Sequence, residues 1–153
     1  MSAEPIAARY PMTAVEPLSA GRRRRAELRE AVDAFERALG LPATDPAWRA
    51  GLARQLSRLR QAFAEHVAVT EGAGGLYACL LDDAPRLANE VDVLMRQHTA
   101  VGSALDALAA RIDTEVDRLR GWAEDVLRAI AEHRQRGADV IYEAYTTDLG
   151  GEN

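Results

Sequence analysis

A chain of 153 residues is long enough for one domain with a buried core and gives no reason to expect two. Its formal charge of -5 leaves no electrostatic footprint for general binding of nucleic acid or of a membrane surface, and no apolar run approaches the ~20 residues of a membrane span. No signal peptide opens the chain, and the single cysteine, Cys79, excludes an intrachain disulfide or a CxxC zinc knuckle, so a cytoplasmic protein with Cys79 as a small buried apolar residue is expected.

The first 21 residues, with Pro5, Pro11 and Pro17 at six-residue spacing, lack helical periodicity and predict an extended N-terminal arm. Helix one is expected from Arg22, because Leu28, Val32, Phe35 and Leu39 step by four, three and four before Gly40. Asp45 and Pro46 read as the cap and first turn of helix two, whose seam is Leu52, Leu56, Leu59, Phe63, His66 and Thr70. From Gly72 to Asp83, three glycines mixed with Leu76, Leu80 and Leu81 predict a turn and a short helical piece. Helix three follows from about Pro85, with Leu87, Val91, Leu94, His98, Val101, Leu105, Leu108 and Ile112 on one stripe. Asp113 or Thr114 is expected to cap helix four, with a stripe of Val116, Leu119, Ala123, Val126, Ile130, His133, Gly137, Val140 and Ala144. No strand pattern competes, and short connections force neighbouring helices antiparallel. The expected fold is an all-α, up-down-up-down four-helix bundle over residues 22–148, preceded by the arm (1–21) and followed by a flexible tail (149–153).

The only histidines, His66, His98 and His133, each fall on the apolar seam of a different helix. A histidine inside a bundle needs hydrogen-bond partners or a metal. Folding the chain back at each turn, at ~1.5 Å per residue, places the three within about two turns of one height, with His66 opposite Glu90 and His98 one to two turns lower. Glu90 is then the best-placed carboxylate. Glu71 and Glu143 lie further toward the same end, and Asp139 reads as solvent-facing. Neutral imidazole suits iron, zinc, copper or nickel, and carboxylates add negative charge and bridge metals. Nitrogen and oxygen ligands without thiolate make one or two non-haem iron ions a natural reading of His66, His98, His133, Glu90, Glu71 and Glu143.

The segments HVAVTEGAGG from His66, LANEVDVLMRQH ending at His98, and HRQRGADVIYEAYTTDLGG from His133 resemble the hemerythrin-like, or HHE cation-binding, helical bundles. The last run is similar to a divergent, histidine-poor bacterial subgroup. The resemblance implies non-haem iron in a four-helix bundle, meeting oxygen, peroxide or nitric oxide as sensor, store or redox handler. The family's usual pattern puts a histidine on helix one, HxxxE on helix two, HxxxH on helix three and HxxxxD on helix four. Here only His66, His98 and His133 match, so a reduced site, or one completed by extra carboxylates, is implied.

Folding back at the first turn puts His66 opposite about Ser19, before the expected start of helix one. The arm is therefore expected to close that end, with Tyr10, Met12, Glu16, Arg22 to Arg25, Tyr142 and Tyr145 nearby. The arginine run reads first as a solvated turn. Three functions stay open: the hemerythrin-like metal protein with a small diatomic or peroxide ligand, a metal-free helical interaction module, and a tri-histidine zinc protein.

Overall fold

The heptad-like seams fold as their spacing dictates: the computed structural model, which describes residues 12–147, is helical almost throughout. In chain order the elements are α1 (Met12–Gly40), α2 (Trp48–Glu71), the short α3 (Leu76–Asp83), a 3-10 turn (Pro85–Leu87), α4 (Ala88–Ala110), α5 (Val116–Tyr142) and a closing π turn (Glu143–Thr147). The four long helices form the expected bundle, and no strand occurs among the described residues. On α2 the buried set is Trp48 together with every seam residue from Leu52 to Thr70. On α4 it runs from Val91 through His98 to Leu108. None of the helices is long and apolar enough to cross a membrane.

The lower end, where α1 meets α2 and α4 meets α5, is tied by two arginines. Arg49 donates to the carbonyls of Ile112 (2.6 Å) and Thr114 (2.8 Å), and Arg120 to those of Leu39 and Leu41. Both guanidinium groups also stack on Trp48. The caps differ in detail from the sequence expectation. Asp45 accepts from the Ala47 N–H, but α2 starts at Trp48 without a side-chain cap. At α5 it is Glu115, not Asp113 or Thr114, that accepts from the backbone N–H groups of Asp117 and Arg118. A carboxylate at that end suits the positive pole of the helix.

The expected extended arm is corrected between residues 12 and 21. Helix α1 begins at Met12 and carries Pro17 inside it. Proline there removes one backbone bond and costs ~3 kcal/mol. The compensation is burial: Ala14 and Leu18 prolong the seam upward by the same steps of four and three, and both are packed away from water. Covering a leucine contributes ~1.5–3 kcal/mol, enough with Ala14 to offset the proline. Gly21 lies in the same stripe and faces Leu76 of α3, which a Cβ there would meet at 3.4 Å, an ordinary van der Waals contact. Tyr10, Pro5, Pro11 and the tail at 149–153 lie outside the described residues.

Two apolar clusters result. The lower and larger joins Leu28, Phe35, Leu56, Leu59, Leu105 and Ile130 with their neighbours, and Phe63 forms its upper edge. The upper one joins Ala14 and Leu18 of α1, Leu76, Tyr77 and Leu80 of α3, Leu94 of α4, and Val140, Ala144 and Tyr145 at the end of α5. The top is locked by the Tyr145 hydroxyl, which donates to Asp83 Oδ2 at 2.9 Å. Since Leu18 belongs to the upper cluster and is only 3 % exposed, Leu18→Ala is expected to lower unfolding stability by about 2–3 kcal/mol. Leu41→Ala, at a position 58 % exposed, should change it little. Denaturant titration of both variants checks the pair.

Candidate metal centre

Between the two apolar clusters lies a single polar layer. His66, His98 and His133 are all buried, at 6, 3 and 2 % exposure. Each offers one nitrogen to a group whose members are at most 4.8 Å apart, close enough to hold a metal ion. The rings pack edge to face, with centroids 5.0 Å apart for His66 and His98, 5.4 Å for His66 and His133, and 4.6 Å for His98 and His133. Phe63 lies against all three from below.

The height estimate for His98 is corrected here: it is level with the other two. The reason is the α2 to α4 connection. His66 lies five residues before the end of α2, whereas His98 lies ten residues after the start of α4. Helix α4 therefore begins ~7 Å above the end of α2, at 1.5 Å per residue. The intervening height is filled by α3. The turn that sends the chain into α3 requires glycine: Gly74 has φ 70°, and a Cβ on Gly75 would lie 2.6 Å from the Val69 carbonyl oxygen.

The hydrogen bonds fix which imidazole nitrogens face the centre. Nδ1–H of His98 donates to Glu71 Oε2 at 2.8 Å, and Nδ1–H of His133 donates to Gln97 Oε1 at 2.9 Å. Both rings must then present an unprotonated Nε2 inward. His98 Nε2 accepts from the Tyr77 hydroxyl at 3.2 Å, and His133 Nε2 accepts from His66 Nε2–H at 3.2 Å. That leaves His66 Nδ1 buried without a partner. The backbone of His66 is itself held, since Thr70 Oγ1 donates to its carbonyl at 2.9 Å.

Burial keeps these rings neutral. Desolvation first, then the other two histidines and the positive charges of Arg25 and Arg134, push His66 down to about 3. Desolvation, helped by His98, pushes His133 down to about 4. For His98 desolvation outweighs the opposing pull of Glu71, so the contact with Glu71 is a hydrogen bond from a neutral ring and not an ion pair. Burial raises Tyr77, which keeps its hydroxyl proton as a donor.

Of the carboxylates expected at the site, Glu71 alone touches the cluster, and it does so from behind His98. Its side chain is 26 % exposed. Glu90 sits higher on α4, half-buried, with Oε2 buried and unpartnered, outside the histidine group. Glu143 is exposed at the start of the π turn, where its carbonyl accepts from Arg86. Asp139 is exposed and accepts from Gln135. Tyr142 is 67 % exposed. Cys79 is partly buried on α3, and its thiol is raised by burial and by Asp83 and Asp82, so it stays protonated and takes no part. Tyr77 and Gln97 were not singled out from the sequence. Tyr77 had a signal, being on the stripe with Leu76 and Leu80, whereas a glutamine next to a seam histidine carries none.

Above the layer is a cavity of about 20 Å³, bordered by His66 and His133 below, Tyr77, Leu80 and Leu94 above, and Arg25 and Arg134 at the side. A volume of ~10–15 Å³ suffices for one water molecule, so the space admits a diatomic-sized group beside the imidazoles.

Because the folded protein holds these rings neutral while the unfolded chain protonates them near 6.5, lowering the pH favours unfolding. Stability is expected to be flat above pH 6.5 and to fall below it, on the order of 1 kcal/mol per pH unit for each histidine kept neutral, down toward pH 4. Denaturant titrations between pH 7.5 and 5 in the presence of a chelator check this, and a profile flat throughout would contradict buried neutral rings.

Comparison with family models, with curated proteins and with solved structures finds no match for this chain.

Proposed function

We propose that this chain is a hemerythrin-like non-haem metal protein, with iron held by His66, His98 and His133, that meets oxygen, peroxide or nitric oxide as a sensor, store or redox handler. The observation that carries the reading is the burial of three neutral imidazoles with ligand atoms at most 4.8 Å apart. Metal–nitrogen bonds of ~2.1 Å set ligand nitrogens ~3–3.5 Å apart around one ion. The Nε2 atoms of His66 and His133 already have that spacing, at 3.2 Å.

The residues around the ligands match the role. Glu71 behind His98 and Gln97 behind His133 hold the rings so that Nε2 is the donor atom, as outer partners of metal-bound histidines do. Tyr77 brings a hydroxyl donor to the same point. Phe63 and Leu94 keep bulk water from the layer. When bound, an iron ion with three nitrogen ligands keeps open positions for a small ligand and supplies redox chemistry. No carboxylate belongs to the group of facing donors, so the set suits one ion better than two.

A metal-free interaction module is favoured by a different observation. Apart from His66 Nδ1, every imidazole nitrogen of the layer has a hydrogen-bond partner within the protein. A tri-histidine zinc site shares the same donors. Metal analysis of protein purified without an affinity tag separates the three: iron supports the proposal, zinc the third reading, and absence of metal even after anaerobic loading with ferrous ion the second. Within the proposal, His133→Ala is expected to lower iron stoichiometry sharply, and unchanged stoichiometry would exclude it as a ligand. Glu71→Gln should weaken affinity ~10–100-fold with the fold retained.

A further inference from the structure

The seam between α1 and α5 is the looser side of the bundle, since the closest backbone approaches are between α1 and α2, α4 and α5, and α2 and α4. A groove of about 440 Å³ opens there. Its walls carry Arg22, Arg25 and Arg29 from α1 and Arg134 from α5. The spacing of three and four residues puts the α1 arginines on one helical face. Between them the lining is mostly Ala26, Ala131 and Ala138, whose short side chains leave the space open.

Three of these arginines, Arg22, Arg29 and Arg134, are not spent on the protein's own acids. Arg23 and Arg24, on the neighbouring faces, pair with Glu16 and with Glu27 and Glu65. Among the described residues, Arg22, Arg29 and Arg134 have no ion-pair or hydrogen-bond partner. Burial first and then the like charge of Arg29 lower Arg134, opposed by Asp33 and Glu36. In a chain of net charge -5, the three guanidinium groups of Arg22, Arg29 and Arg134 gathered on one groove form a local excess that an anion would relieve.

We propose that this groove binds a phosphate-class oxyanion, either inorganic phosphate or a phosphomonoester, through Arg22, Arg29 and Arg134 with Arg25 on its inner wall. Guanidinium forks match phosphate oxygens in pairs, and a dianion suits a multiply charged cradle better than a single carboxylate does. The volume lies within the ~300–1,000 Å³ of small-ligand pockets and leaves room for an ester's organic body. The proposal does not depend on metal binding. It does connect to the histidine layer in space, because Arg25 and Arg134 line both the groove and the cavity beside His66 and His133. Bound oxyanion would therefore screen the two positive charges nearest His66.

The test uses the full chain, metal-free, in low-chloride buffer, titrated calorimetrically with inorganic phosphate in one arm and phenyl phosphate in the other. Saturable binding that weakens with added chloride is expected, and the tighter arm identifies the free or the esterified form. Arg29→Gln and Arg134→Gln should each lower affinity about tenfold or more. Arg96→Gln, at a side chain paired with Asp92 on α4, should leave it unchanged. Amide shift mapping on the unsubstituted protein guards against a misfolded variant: shifts gathered at Ala26, Ala131 and Ala138 support the site. No saturable binding in either arm, or shifts scattered over the surface, would each overturn the proposal.

Discussion

Three imidazoles taken out of water in one plane are the constraint on which the rest of this bundle depends. A buried polar ring is tolerated only when it is neutral and its nitrogens are satisfied. For His98 and His133 both conditions are met by neighbours, while Nδ1 of His66 is left without a partner. Glu71, the last residue of α2, turns back onto His98. Gln97, one residue before His98 on α4, serves His133 on α5 instead. Tyr77 enters from α3 with its ring stacked on that of His98, at 5.6 Å between centroids. The layer is thus supplied by four helices, and it joins two apolar clusters that would otherwise behave as separate cores.

That layer also accounts for the unequal helix lengths. In a simple bundle with its polar residues near one end, water would reach them through the last turn. Here α1 and α4 both run further past the layer than α2, which stops five residues beyond His66, and α3 fills the height between them over its end. The glycine turn before α3 makes this feasible, because the chain must reverse within four residues of Glu71 and Gly74 needs a positive φ. Pro17 is carried inside α1 for the same purpose: a helix that stopped at Arg22 would leave Leu76 and Leu80 without a cover.

The bundle was legible in the sequence because apolar spacing of three and four survives folding almost unchanged. Every seam residue named on α2 is buried, and so is the stripe of α4 from Leu87 to Leu108. What escaped the reading was set by tertiary contacts. Proline spacing argued for an extended arm, yet Ala14 and Leu18 continue the seam once α3 offers them a surface. The three histidines were recognisable as a set, since each interrupts an apolar stripe. Their common height was not, because it depends on where a glycine-rich connection turns, which periodicity does not encode. The carboxylates were harder still. Glu71 joins the layer only through the length of its side chain at a helix end, while Glu90, placed by counting residues, sits above it.

Charge is the remaining thread. The three donors are neutral, Glu71 is the one carboxylate in contact with them, and Arg25 and Arg134 lie on the side of the cavity. Desolvation first, then neighbours that include both arginines, lowers His66, while Glu71 pulls His98 the other way. On the metal reading, a divalent ion would retain most of its charge, which favours an anionic or readily reduced small ligand over a neutral one. On the metal-free reading, the proposed anion binding at the α1 and α5 face rests on the arginines of the groove alone. On either reading, Arg25 and Arg134 connect the proposed anion groove to the cavity beside His66 and His133, so charge bound at that surface is felt at the histidine layer.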